Sequence, residues 1–171
     1  TTALSPTSLE GAQKNLQAEA KTDDFDAVRR QAETLWNKEL GKIEIEGASK
    51  SQETVFYTSL YHAMSAPTLL CDVDGTYLGA DRKLHKADGW NNYETCSLWD
   101  TYRAAHPLYD ILMPARAGEM VNSLIAFSKE NGRLPIWNMW SSETDMMIGY
   151  HAASVIAEAI LKGVPNINKE E

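Results

Sequence analysis

The segment that decides the fold reads PARAGEMVNSLIAFSKENG and runs from Pro114 to Gly132. Pro114 fits the first helical position, where a missing amide donor costs nothing. Asn131-Gly132 fits the end of a helix, where a left-handed residue is favoured. Apolar residues recur between these ends at helical spacing, at Ala117, Val121, Leu124 and Ile125. The segment therefore predicts an amphipathic helix with one buried face.

Two helices are predicted near the N-terminus. Thr7 and Glu10 have the spacing of a capping box ahead of apolar residues at helical intervals. Asp23 or Asp24 then opens a second helix, which ends near Gly41. A third helix begins at another capping box, formed by Ser49 and Gln52, and Ala66-Pro67 stops it.

Two more helices flank the central segment. Residues 97–113 have a helical pattern with a break predicted at Pro107. After a tryptophan-rich loop over residues 133–142, Glu143 and Asp145 are placed at the start of a last helix, which Gly163 closes. Six predicted helices indicate a mostly α fold, for which antiparallel helical hairpins around a centre are one arrangement. In another, the first helix is an adaptor that packs against a different domain.

Residues 68–92 lose the helical period. Residues 69–73 and 76–79 are predicted to form a short hairpin around Asp74-Gly75, because this dipeptide suits a type I′ turn. Asp72 and Asp74 also resemble the start of a calcium-binding EF-hand loop. Position 12 of such a loop would be Lys83 where a glutamate is required, so the turn is the better interpretation.

The composition indicates a soluble globular chain. Of its 171 residues 43% are hydrophobic and 23% are charged, and the formal net charge is −8. This charge argues against nucleic acid and anionic membranes as partners, because both select clustered lysine and arginine. Neutral sugars, cations and proteins stay open as partners. Cys71 and Cys96 are two buried thiols or, alternatively, one disulfide.

Two stretches combine aromatic and charged residues in the way a sugar site requires. Residues 97–103 (SLWDTYR) place Trp99, Asp100 and Arg103 within two helical turns. A flat ring can stack on a pyranose, and charged groups can bind its vicinal hydroxyls. The plainer alternative is a surface ion pair between Asp100 and Arg103 beside a core tryptophan.

Residues 134–145 (LPIWNMWSSETD) lead from Trp137 and Trp140 to Glu143 and Asp145. A carboxylic acid walled by aromatic rings could keep its proton near neutral pH and act as a general acid. The alternative is a carboxylate that merely favours a helix N-terminus. We predict that Trp99, Trp137 and Trp140 surround one pocket together with Glu143.

Six segments together carry a resemblance to a known family. They are residues 56–62 (FYTSLYH), 72–77 (DVDGTY), 97–108 (SLWDTYRAAHPL), 132–137 (GRLPIW), 142–145 (SETD) and 147–151 (MIGYH). In identity, order and spacing the chain resembles glycoside hydrolase family 92, the calcium-dependent, inverting exo-α-mannosidases. Ser141-Ser142 stand where the family usually has Gly-Asn, and Asn138 stands where it often has Glu.

The resemblance implies that the chain is an internal fragment. Residues 1–48 would be linker or adaptor helices that follow a β-sandwich domain. Residues 49–171 would be the first half of an (α/α)₆ barrel. The partners would be a mannose-containing glycan and the remainder of the same enzyme, namely the β-sandwich domain and the second half of the barrel. The location would be secreted or periplasmic.

The resemblance also implies a mechanism, in which terminal α-linked mannose is removed with inversion and with the help of Ca²⁺. Glu143 matches the family's general acid, and Trp99 and Asp100 match positions that line the sugar pocket. The general base lies beyond residue 171, so residues 1–171 alone are expected to be inactive. The rival hypothesis is a non-catalytic helical interaction module derived from such an enzyme.

Overall fold

The computed structural model describes residues 1–169, and the fold is 49% helical. The helices of this range are α1 (Leu9–Glu19), α2 (Phe25–Leu40), α3 (Lys50–Ala63), α4 (Leu98–Thr101), α5 (Ala105–Leu112), α6 (Pro114–Asn131) and α7 (His151–Leu161). The strands are β1 (Thr68–Leu69), β2 (Thr76–Leu78), β3 (Leu84–Lys86), β4 (Tyr93–Glu94), β5 (Cys96–Ser97) and β6 (Trp137–Asn138). The prediction of a mostly α fold with short β-hairpins is confirmed.

The helix ends follow from side chains that bind free backbone groups. Asp24 caps α2, and Ser49 forms the predicted capping box with Gln52 at the start of α3. At α1 the prediction was wrong by one residue, because Ser8 Oγ accepts from Gly11 N at 2.9 Å and is the cap. The Thr7 hydroxyl instead donates to the Asp72 carboxylate.

Helix α6 forms the centre of the core, as its sequence predicts. It begins at Pro114 and ends at Gly132, whose φ of 84° is left-handed. One apolar cluster joins α5, α6 and α7 through buried residues that include Tyr109, Val121 and Ala159. A second joins β5, α4, α6 and α7 through Cys96, Leu98, Leu124, Ala152 and Val155. The second cluster fixes the start of α4 against α6 and α7.

Two predicted helices have different bounds in the structure. The segment 97–113 is interrupted at residues 102–104 and not at Pro107, which lies in the first turn of α5. A proline is tolerated there because the first amides of a helix have no intrahelical acceptor. The last helix begins at His151, so Glu143 and Asp145 are not at its start.

Three two-stranded antiparallel sheets replace the single predicted hairpin. Strand β1 pairs with β4, β2 with β3, and β5 with β6. The prediction that residues 69–73 pair with 76–79 was wrong, since the partner of β2 is β3. Residues 72–75 do form a tight turn, in which Gly75 N donates to Asp72 O at 2.8 Å.

The N-terminal helices bury few residues. Helix α2 has no buried residue, and α1 buries Gly11 and Asn15. Both cysteines are free thiols, Cys96 being buried and Cys71 half-buried. Over residues 1–169, no helix combines the length and the apolar character that crossing a bilayer requires. The division at residue 48 stays a prediction.

Candidate active site

A two-stranded ladder joins the two aromatic and acidic stretches. Ser97 pairs with Trp137, and Cys96 pairs with Asn138, although 39 residues separate the strands β5 and β6. Trp99 and Asp100 follow Ser97 directly in α4. The ladder therefore brings the chain around Trp99 and Asp100 alongside the chain around Trp137.

The Glu143 carboxylate is held by four backbone amides. Its oxygens accept from Ile136 N at 2.6 Å, Trp137 N at 3.1 Å, Thr144 N at 2.9 Å and Asp145 N at 3.2 Å. The backbone at Glu143 also bridges to Asn138. Glu143 is half-buried, and its hydrogen bonds join the two arms of a hairpin over residues 137–144. A carboxylate in this arrangement is an acceptor, so it must rotate or lose an amide partner before it donates a proton.

A tight turn forms the tip of that hairpin. Met139 N donates to Ser142 O at 2.9 Å, and Ser142 N donates to Met139 O at 3.2 Å. The two central residues, Trp140 and Ser141, have φ angles of 51° and 55°. This is the geometry of a type I′ turn, which glycine and asparagine favour. The indole of Trp140 is 66% exposed at the tip.

A buried carboxylate on another strand binds the backbone of this turn. Both oxygens of Glu94, in β4, accept from Ser141 N at 2.9 Å. Only 4% of Glu94 is exposed. Burial raises the pKa of the Glu94 carboxyl, and the Ser141 amide opposes that rise by stabilising the charged form. Glu94 was not predicted as a site residue, because it has no local motif and its partner is 47 residues away.

Asp100 and Arg103 do not have the partners predicted for an ion pair. Ser97 Oγ donates to the Asp100 carboxylate. Arg103 Nε donates to the Tyr102 hydroxyl at 2.8 Å, and its guanidinium lies 5.2 Å from the centre of that ring. The His151 ring stacks on the Tyr102 ring, with 4.1 Å between the two ring centroids. Asp100 is exposed and available to a ligand.

The three predicted tryptophans differ in exposure. Trp99 is 42% exposed, Trp137 is half-buried, and Trp140 lies at the hairpin tip. The ladder pairs Trp137 with Ser97, two residues before Trp99, and Trp137 N donates to Glu143. Whether all three rings share one pocket stays a prediction. A separate cavity of about 670 Å³ lies between β2, β3 and α6, and none of the predicted site residues lines it.

The described residues do not form a metal site by themselves. Over residues 1–169, no group of three or more His, Cys, Asp or Glu side chains is arranged to hold a metal ion. Asp72, which begins the Asp-rich turn, is instead occupied by Ser5, Thr7 and Asn15. Both oxygens of the Asp72 carboxylate thus already accept hydrogen bonds from protein side chains.

Comparison with known proteins gives one consistent family. The family model for the glycosyl hydrolase family 92 catalytic domain matches residues 11–171. The structure is similar to that of the family 92 α-mannosidase BT3965 from Bacteroides thetaiotaomicron, with 41% identity and a TM-score of 0.91. That similarity covers 97% of this chain and 22% of the other. BT3965 has also been solved in complex with mannoimidazole.

A second similar structure is the family 92 inverting mannosidase BT2199 from Bacteroides thetaiotaomicron VPI-5482. It has 29% identity and a TM-score of 0.89, over 97% of this chain and 23% of that one. The family 92 glycosyl hydrolase ccman5 follows, with 26% identity and a TM-score of 0.81, over 96% of this chain and 22% of the other. No curated protein sequence matches the chain.

The chain thus spans less than a quarter of each of these structures. Its mostly helical fold is consistent with part of an (α/α)₆ toroid and is similar to the corresponding part of all three. The family match extends over nearly the whole chain. The chain belongs to glycoside hydrolase family 92.

Proposed function

We propose that this chain is part of an exo-acting α-mannosidase that hydrolyses terminal α-linked mannose from glycans with inversion. The observation that carries the proposal is the 41% identity to an α-mannosidase across 97% of this chain. The paired strands β5 and β6 support it, because they join the two stretches that the sequence marks as a sugar site. The substrate and the stereochemistry belong to the whole enzyme, of which the chain is a part.

Within this proposal Trp99 and Trp137 contact the apolar face of a pyranose, and Asp100 binds hydroxyls. Trp99 is exposed enough to receive a ring, and Asp100 has one protein partner, the Ser97 hydroxyl. A carboxylate retains acceptor capacity beyond one such bond. Trp99 and Asp100 are thus free to contribute binding without first breaking a buried contact.

The resemblance to family 92 assigns Glu143 the role of general acid. Its hydrogen bonds must change before it can act in that role. The acid must bring a proton to the leaving oxygen, yet four backbone amides now bind the Glu143 carboxylate. Contact with substrate would have to displace at least one of these amides. If Glu143 keeps all four partners, it anchors the hairpin and the acid is another residue.

Inversion needs a second carboxylate to activate water, at about 6.5–9.5 Å from the acid. The resemblance assigns this base to a segment beyond residue 171. The proposed partners are therefore the remainder of the same enzyme, with its β-sandwich domain and the second half of the barrel. Calcium dependence and a secreted or periplasmic location also rest on the resemblance, and no calcium ligand is assigned to a residue of this chain.

The proposal is tested with the complete enzyme on matched glycosides. We expect it to release mannose from a terminal α-mannoside and to leave the β-mannoside and the α-glucoside of the same aglycone intact. Calcium chelation should abolish the release, and added Ca²⁺ should restore it. A complete enzyme that folds, keeps calcium and releases no mannose would favour the non-catalytic module.

A further inference from the structure

The turn at the tip of the 137–144 hairpin holds two residues in an unfavourable backbone conformation. Trp140 and Ser141 both have left-handed φ angles, although neither is glycine or asparagine. Such a conformation is unfavourable for a residue with a Cβ atom and persists when surrounding contacts enforce it. The two hydrogen bonds between Met139 and Ser142 close the turn, but they would also form around a relaxed Gly-containing sequence.

The contacts that enforce the turn come from outside the hairpin. Both Glu94 oxygens accept the Ser141 amide, and the Ser141 hydroxyl donates to the Leu78 carbonyl. Glu94 is itself fixed in β4, whose pairing with β1 places Glu94 opposite Thr68. Ser141 is buried at 2% exposure, while Trp140 beside it projects outwards. A hydrogen bond to a buried carboxylate is stronger than one between neutral groups.

Neighbouring charges do not replace Glu94 in this role. Glu130 is occupied by the Tyr77 hydroxyl at 2.7 Å and by Ala80 N at 2.9 Å. Arg82 donates to the Ser142 hydroxyl at 2.6 Å, on the exposed side of the turn. Glu94 is therefore the carboxylate that holds the amide of the strained residue.

We propose that Glu94 is a positioning residue, which holds Ser141 in its left-handed conformation and thereby fixes Trp140 and the return of the chain to Glu143. Its effect on substrate rests on the proposed function, but its effect on the turn does not. Glu94 need not touch a ligand, because it acts through the Ser141 amide. The same contact explains why a buried, otherwise costly carboxylate is present behind an exposed loop.

The test is a double-mutant cycle in the complete enzyme. Glu94→Met keeps the length of the side chain and removes both acceptors, so Ser141 should relax. We expect amide hydrogen exchange over residues 139–144 to accelerate at least tenfold and mannoimidazole to bind about tenfold more weakly. Adding Ser141→Gly should restore most of both properties, because glycine adopts a positive φ without strain.

Ser141→Ala is the matched control, since it loses the hydroxyl but keeps the Cβ atom that opposes a positive φ. It should not rescue Glu94→Met. Rescue by neither substitution, or equal rescue by both, would overturn the proposal. Glu94→Gln, which keeps one acceptor, should show an intermediate exchange rate and serves if the methionine variant does not fold. If the unsubstituted enzyme binds no mannoimidazole, the proposed function fails, while the exchange measurements still decide the role of Glu94.

Discussion

Ser97 and Trp137 are directly paired across the β5–β6 ladder, although they lie 40 residues apart in the chain. Ser97 leads into Trp99 and Asp100, and Trp137 donates its amide to Glu143. This one pairing therefore connects the chain around Trp99 and Asp100 with Trp137 and Glu143.

The role of Glu143 is tested by changing the leaving group. Glu143→Gln in the complete enzyme should lower the turnover of a natural mannoside by about 10²–10⁴-fold, because a general acid contributes about that factor. An aryl mannoside with an acidic phenol needs little protonation and should lose less. Steady-state kcat on both substrates is the measurement. Equal losses on the two substrates would show that Glu143 anchors the hairpin through its four amide bonds.

The aromatic contacts should affect binding more than the chemical step. Trp99→Ala and Trp137→Ala are each expected to raise KM about tenfold, since the loss of roughly 1–1.5 kcal/mol of ring contact corresponds to that factor. Trp36→Ala is the control, because Trp36 packs on Tyr61 at 4.5 Å and lies in α2. The control should lower stability without changing KM. An unchanged KM in both site variants would remove these rings from the sugar site.

We predict that the buried His106 makes the fold less stable in acid. The residue is buried, its Nε2 has no hydrogen-bond partner within residues 1–169, and burial lowers the pKa of its imidazole to about 4. In the unfolded chain the His106 imidazole takes up a proton near pH 6.5, whereas in the folded chain it stays neutral down to about pH 4. The folded state therefore keeps its full stability above pH 6.5 and loses part of it as the pH falls to 4. The loss should reach about 3 kcal/mol in the free energy of unfolding.

Chemical denaturation at pH 7 and pH 4 checks this contribution. His106→Leu should remove about that much of the pH dependence, whereas His62→Leu, which changes an exposed histidine of α3, should not. If the slope of stability against pH is the same in His106→Leu and in the unsubstituted protein, His106 is not responsible for the loss.

Asp72 holds the N-terminal segment against the rest of the fold through hydrogen bonds. Ser5, Thr7 and Asn15 donate to its buried carboxylate. Asp72→Ala should cost about 1–3 kcal/mol in the free energy of unfolding, because the buried Asn15 and the half-buried Ser5 and Thr7 lose their acceptor. Gly11→Ala should also destabilise, since a Cβ atom there would lie 2.5 Å from Asp72 Oδ2. Lys14→Ala, which removes an exposed ion pair with Asp74, should have little effect in the same denaturation experiment.

The local features of the fold were predictable from the sequence. The capping box of Ser49 and Gln52, the proline at the start of α6 and the glycine at its end act within a few residues. Their chemistry is therefore visible in a short window. The motif stretches could likewise be placed on the chain, and the family could be identified from them.

The pairings between distant segments were not predictable in the same way. Strand β1 pairs with β4 across 23 intervening residues, and the Asp74-Gly75 signal pointed to a closer partner. Glu143 has the pattern of a helix N-terminus, but the amides that it binds belong to a hairpin. A carboxylate satisfies free amides in either setting, so residue type alone does not separate the two. Glu94 was not predictable because its partner, Ser141, lies 47 residues away in the chain.

Residues 1–171 by themselves should release no mannose. Inverting hydrolysis requires the base that the proposal assigns to another segment, and the isolated chain retains only the proposed acid. The purified chain, incubated with an aryl α-mannoside at high concentration, is the assay. Mannose release by this chain alone would show that both catalytic groups lie within it.

The measurement that tests the proposed function most directly is proton NMR of the first product. The complete enzyme is incubated with a terminal α-mannoside, and the anomeric signals are followed before mutarotation equilibrates them. We predict that β-mannose appears first and that α-mannose grows in later at the rate of spontaneous mutarotation. The initial appearance of α-mannose would contradict inversion, and the absence of any mannose would contradict the assignment of the chain to an active α-mannosidase.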